Sequence, residues 1–150
     1  MLDDINDLYY VCSLIEFIGR MTKNHNRKVI EMMGREEVGR QLSLAKVNHC
    51  LSFEQVASEL VEELGIEEGH FDSVGICRYK VPNHTSIGRI YCDLILDVMK
   101  EKEEVQSFVD IMYEVFTSFI GDEISDFNTS TYYQNPSYIY HSYKAGKLLE

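Results

Sequence analysis

The sequence predicts an all-α protein: one compact domain of five to seven helices over residues 1–150, with a short strand at 74–81 as its sole β candidate. Three observations predict it. Apolar residues recur at three- and four-residue steps through most of the chain. Only two prolines, Pro82 and Pro136, interrupt the helical stretches, so few backbone donors are lost. Helix-capping residues stand where the apolar periods begin.

The first helix is expected from about Asp4 to Met21, with Leu8, Val11, Cys12, Ile15 and Ile18 on one face and Asp3 or Asp4 as cap. Thr22 to Asn26 reads as a polar turn. A short helix follows with Val29, Met32 and Met33, stopped by Gly34. Glu36 to about His49 is a third segment, carrying Val38, Leu42, Ala45 and Val47. Ser52 and Gln55 form a capping box for a helix with Val56, Leu60 and Leu64 that ends at Gly65. Ile66 to Asp72 is a loop. Val74, Ile76, Tyr79 and Val81 are good strand formers, but no partner strand stands out.

Beyond Pro82, Thr85 or Ser86 is expected to cap a helix with Ile87, Ile90, Tyr91, Leu94 and Val98 on its apolar face. The charged run from Lys100 to Glu104 reads as a solvated hinge or a continuous exposed turn. Val105, Phe108, Met112, Phe116 and Phe119 then form the strongest stripe, widened by Ile111, Val115 and Ile120, which predicts a central helix buried on more than one side. Asn128 to Asn135 is a polar loop. Asn135 and Pro136 open a last helix that runs to about Leu149.

At 150 residues, 45% hydrophobic and 26% charged, the composition is that of an ordinary globular domain. A chain of this length buries roughly two thirds of its unfolded surface and needs no metal or disulfide to fold. Its formal net charge of −11 opposes phosphate backbones and anionic membranes. Cys12, Cys50, Cys77 and Cys92 form no C-x-x-C pair, and no basic-then-apolar leader precedes Asp3, Asp4 and Asp7. Both features point to a reducing cytoplasm. His25, His49, His70, His84 and His141 offer no tight ligand pairs with the cysteines, so neither a metal site nor a cofactor is expected. Nucleophile, phosphate-loop and dinucleotide motifs are absent from the sequence, and no catalytic residue is assigned. Asp93 and Asp97 share a helix face and read as a hydrated acidic surface.

Charge is unevenly distributed. From Ile18 to Cys50, seven cations face three carboxylates for a net of +4, leaving −15 elsewhere. Two short basic helices suit a helix-turn-helix using residues 18–50, with Arg20, His25, Arg27, Lys28 and Arg35 as its nucleic-acid site. The plainer reading is a face that neutralises acidic helices of the same fold. Arg20 and His25 also stand at an R-x4-H spacing that resembles the motif of HEPN-type ribonucleases. That resemblance implies a His moving a proton and an Arg stabilising charge on an RNA phosphodiester.

The segment from Phe127 to Tyr143 contains no Asp, Glu, Lys or Arg, yet holds Tyr132, Tyr133, Tyr138, Tyr140 and Tyr143. Uncharged, aromatic-rich surfaces suit protein interfaces. Tyr138 with Ser142 and Tyr140 with Tyr143 fall on different faces of the last helix, so at least one set is expected to be exposed.

Residues 1–64 resemble a small bacterial helical domain of unknown function. The likeness lies in the apolar run from Tyr9 to Ile18, the basic turn and helix from Arg27 to Met33, and Val47-Asn48-His49. Members of that family are often encoded beside toxin-like proteins, which implies an antitoxin-like or accessory role. The sequence reading is therefore a non-catalytic, cytoplasmic, acidic protein that binds a protein partner, basic or toxin-like, or a second copy of itself. The alternative is action on nucleic acid, by the helix-turn-helix or the R-x4-H pair.

Overall fold

A computed structural model describes residues 2–102 and 107–150. Among the described residues there are seven α-helices, one 3-10 turn and no strand. They are α1 (Leu2–Thr22), α2 (Asn26–Asn48), α3 (Phe53–Leu64), α4 (His84–Glu101), α5 (Phe108–Phe116), α6 (Phe119–Ser125), the turn Thr131–Tyr133 and α7 (Pro136–Ala145). The expectations placed on Glu103, Glu104 and Val105 lie outside the described residues.

The central helix is α1, not the Val105–Phe119 stripe. Every residue from Tyr10 to Glu16 is buried, because α2, α3 and α4 close around it. Its widest contact is with α4, whose Ile87, Tyr91, Leu94 and Ile95 meet Leu8, Val11, Leu14, Ile15 and Ile18 in one core. Gly88 lets the two backbones approach: a Cβ there would strike Ser13 Oγ and lie 2.8 Å from Ser13 Cα and N. Ile111, Met112, Val115 and Phe116 are buried as expected, but their helix breaks at Thr117 and Ser118 before α6 begins. Phe116 stacks on Tyr91 with ring centroids 4.1 Å apart.

The caps follow the chemistry expected, with shifts in who supplies them. Ser52 Oγ accepts from the Gln55 amide at 3.0 Å, as the capping box predicts. Asn83, rather than Thr85 or Ser86, caps α4; its Oδ1 accepts from both the amide and the hydroxyl of Thr85. Asn135 caps α7 ahead of Pro136. Asp3 and Asp4 lie inside α1 rather than at its cap. Gly34 breaks α2 at φ 78° and ψ 158°, a conformation open to little but glycine, so the two expected helices form one bent element. Val47, expected on the apolar stripe, is 67% exposed near the end of α2.

The last helix ends at Ala145, four residues before the expected Leu149. Gly146 turns the chain back so that the Leu149 amide donates to Ser142 Oγ and Tyr138 Oη donates to the Leu149 carbonyl. The tail thus laps over α7.

Candidate functional site

The turn from α1 to α2 is polar, as expected; its Thr22, Asn24 and Asn26 are buried and its Lys23 and His25 exposed. Thr22 Oγ1 donates to the Ile18 carbonyl, and Asn24 Nδ2 donates to Thr22 Oγ1 and to the Glu67 carbonyl. Buried Glu16 accepts from Arg20 Nε at 2.6 Å and from Asn26 Nδ2 at 2.8 Å. Burial pushes the Glu16 carboxyl above its ordinary range, against the opposing pull of Arg20 and Asn26. Arg20 also donates to the Pro82 carbonyl at 2.7 Å and lies over the Phe127 ring. Its donors face Glu16 and Pro82.

His25 sits elsewhere. Its ring stacks on Phe71 with centroids 3.7 Å apart, and Nδ1 lies 3.8 Å from Asp122. It lines a depression with Lys23, Lys28 and His70, whereas Arg20 lines a cleft with Lys80, His84 and Tyr132. The structure does not bring the R-x4-H pair together. Other cations of the basic segment stay at the surface and pair there with the chain's own carboxylates. Lys23 meets Glu68, Arg27 meets Asp122, Arg35 meets Asp110, Arg40 meets Glu37 and Lys46 meets Asp7. With Arg20 on Glu16, six of the seven cations have a carboxylate partner, which offsets their charge at the surface. Lys28 is the seventh.

The tyrosine-rich end is mostly folded inward, against the expectation of an exposed face. Tyr140 is buried near Glu101, whose carboxyl it and Lys144 hold below the ordinary range. Tyr143 is half-buried, and burial together with Glu114 raises its phenol pKa. Tyr138 is engaged by the tail, and Tyr132 packs edge-on against buried Phe127. The tail covers Tyr138 and Ser142, Tyr140 and Tyr143 face Glu101 of α4 and Glu114 of α5, and Ser137, His141 and Lys144 stay exposed. Among the five, Tyr133 alone is widely exposed, at 66%.

A group of exposed apolar residues lies on the connection between α3 and α4, where a strand was expected. Asp72-Ser73-Val74-Gly75 carries Asp at the first and Gly at the fourth position of a turn, a signal that outweighs the strand propensity of Val74 and Ile76. Asp72 Oδ1 accepts from the Gly75 amide at 2.8 Å, and the Asp72 carbonyl accepts from the Ile76 amide. The loop is tied at three places. Gly69 and Phe71 amides donate to the Thr22 and Lys23 carbonyls, and Arg20 holds the Pro82 carbonyl. Between them Asn128 clips both sides of one peptide stretch: its Oδ1 accepts from the Arg78 amide at 2.8 Å and its Nδ2 donates to the Ile76 carbonyl at 2.9 Å. Held this way, the loop still turns Val74, Ile76 and Tyr79 outward, the last two at 54% and 63% exposure. Asn128 and Tyr133 belong to the segment between α6 and α7, so the clip joins this loop to the exposed tyrosine's segment.

Beside the loop, Arg20, Lys80, Pro82, His84, Ser86 and Tyr132 line an open cleft of about 740 Å³. Burial and the Arg20 charge hold His84 below its ordinary imidazole range, which favours its neutral form. Its ring packs edge-on against Phe17 and Phe53. Among the described residues no group of three or more His, Cys, Asp or Glu is placed to hold a metal ion, and no helix is long and apolar enough to cross a membrane. Compared with family models, curated proteins and solved structures, the chain matches none.

Proposed function

We propose that the chain is a non-catalytic protein-binding module whose contact surface is the 74–79 loop together with Tyr133. The observation that carries this reading is the Asn128 clip. An apolar loop is fixed by side-chain bonds to a second loop while Val74, Ile76 and Tyr79 stay in solvent. A surface ordered beforehand loses less freedom when it binds, and exposed aliphatic and aromatic groups supply the contact area. The net charge of −11 favours a basic protein as partner, through steering at a distance. The internal pairing of the 18–50 cations weighs against the nucleic-acid alternative. The likeness of residues 1–64 to a domain encoded beside toxin-like proteins supports an antitoxin-like or accessory role in the cytoplasm.

The test is site-directed photo-crosslinking in the native cell, with the reactive group at Tyr79 and, as control, at exposed Glu59 on α3. A partner captured from Tyr79 and not from Glu59 is then purified and titrated. Ile76→Asp with Tyr79→Ala should weaken that binding by about 2 kcal/mol or more and leave the melting temperature unchanged. Equal capture at both positions, or binding indifferent to the double change, refutes the reading.

A further inference from the structure

The surface assigned to protein binding carries charge of the opposite sign to the chain as a whole. From Ser73 to Cys92 there is no Asp or Glu, while Arg78, Lys80 and Arg89 fall within that stretch. The segment from Phe127 to Tyr143, joined to it by the Asn128 clip, has no Asp, Glu, Lys or Arg at all. In a chain of net charge −11, both stretches that build this surface are free of carboxylates.

The two cations on the loop itself also lack an internal partner. Nine of the fourteen Lys and Arg residues pair with a carboxylate of this chain. Arg78 and Lys80 meet none among the described residues, and both are exposed. The Arg78 guanidinium lies 6.0 Å from the centre of the Tyr79 ring, and Lys80 lines the cleft that Tyr132 shares. Arg20 in that cleft adds no free charge, since Glu16 takes it. The flanking carboxylates are engaged elsewhere. Asp72 and Asp126 accept from the Gly75 and Asn128 amides, and Asp93 lies beside Gln134 and Pro136.

The net charge of −11 acts on an approaching partner, but salt screens a charge beyond about 8 Å under physiological conditions. At contact the local sign decides. A carboxylate brought to Arg78 and Lys80 is attracted without displacing an internal partner, whereas a Lys or Arg brought there is repelled. The exposed Ile76 and Tyr79 beside these cations suit an apolar group on the same segment.

We propose that this surface docks an acidic segment of the protein partner, with Asp or Glu side chains at Arg78 and Lys80 and an aliphatic or aromatic side chain against Ile76 and Tyr79. The proposal rests on the reading of the 74–79 loop as a protein-binding surface and adds the chemistry of what binds there, whatever the charge of the partner as a whole.

The test is selection from a random peptide library displayed on phage, with the full chain as bait. Ile76→Asp with Tyr79→Ala serves as the counter-bait that identifies loop-dependent peptides. Those peptides should be enriched in Asp and Glu over the unselected library. Synthesised and titrated, they should lose about tenfold in affinity to Arg78→Glu with Lys80→Glu, and weaken as salt is raised. Lys80→Gln alone should weaken them in the same direction, which keeps the test valid if the double reversal folds poorly. Loop-dependent peptides rich in Lys and Arg, or with the library's own composition, would overturn the acidic segment while leaving the loop as a binding surface. So would affinities indifferent to the charge changes. A selection that yields no loop-dependent peptide would overturn both.

Discussion

Gly88→Ala is the sharpest probe of the packing, because helix propensity and tertiary structure predict opposite signs for it. In an isolated helix the change would gain about 1 kcal/mol. In this fold the added methyl meets Ser13 Oγ and lies 2.8 Å from Ser13 Cα and N, across the most extensive helix pair in the molecule. A side-chain contact could rotate away, but a backbone contact cannot. Ordinary carbon contacts need about 3.5–4.0 Å, so α1 and α4 must separate by roughly 1 Å there, and a gap of that size forfeits a quarter to a half of each neighbouring dispersion contact. Overpacking usually costs about 1–3 kcal/mol, and a backbone clash belongs at or above that range. We take about 3–5 kcal/mol, leaving a net loss of about 2–4 kcal/mol after the propensity gain. For a domain of this size that is a fall of roughly 4–16 °C in melting temperature. Urea denaturation with calorimetry measures both quantities. Adding Ser13→Ala should recover only a minor part, because Cα and N stay where they are. Gly39→Ala is the control: its Cβ would sit 3.7 Å from Val109, an ordinary contact, and it should stabilise by about 0.5–1 kcal/mol. A Gly88→Ala variant as stable as the parent, or one fully rescued by Ser13→Ala, refutes the close α1–α4 approach.

Three further outcomes are expected. Phe116→Ala removes a fully buried ring stacked on Tyr91 and should cost about 3–5 kcal/mol, against about 1 kcal/mol for Ser52→Ala, which removes one cap bond; denaturation curves that reverse this order would displace Phe116 from the core. Thiol titration of the folded protein should label Cys50 and Cys77, while Cys12 and Cys92 react only in denaturant, since both are buried and burial raises their thiols, that of Cys92 to about 11. The raised carboxyl of Glu16 means that the folded state holds its proton longer than the unfolded chain, so its contribution to stability is full below about 4.5 and is lost as pH rises through the higher folded value. The stability of the parent relative to Glu16→Gln should therefore grow on acidification from neutral pH into that window, and a flat difference across it would contradict the buried setting of Glu16.

The helices were legible because their signals are local. An apolar residue every third or fourth position, a Ser three residues before an amide donor and an Asn before a Pro act over one turn of chain. They placed α1, α3, α4 and α7 within a few residues. What was not legible depends on approach from elsewhere in the chain. The stripe at Val105–Phe119 looked the most buried because it is the richest in large rings, yet burial is set by what packs along a helix, and α1 makes the two most extensive helix pairings among the described residues, with α4 and α2. Gly88 carried no periodic signal, since a glycine inside a helix shows its purpose only when Ser13 lies against it. Residues 74–81 read as a strand from side-chain type alone, but a strand needs a partner, and the Asp72–Gly75 turn and the Asn128 clip satisfy the backbone in its place.

The same distinction separates the two surfaces on which the sequence reading rested. A run of cations and a run of tyrosines are both compositional signals, and composition states what a segment contains without stating which way it faces. The cations stay at the surface, but Arg27, Arg35 and Lys46 each stand beside a carboxylate brought there from a distant helix. Arg20, in the pair that resembles a ribonuclease motif, is a strut: it neutralises the one glutamate buried in α1 and carries the Pro82 carbonyl at the end of the α3–α4 loop. Tyr140 and Tyr143 turn toward α4 and α5, Tyr132 packs on Phe127, and the tail engages Tyr138. Among the apolar residues that stay outside are those of a loop held by an asparagine from another loop, a bond across 50 residues that no local pattern announces. Ile76 and Tyr79 face solvent there while side-chain bonds from a second loop hold the backbone between them, and the protein-binding proposal rests on that arrangement.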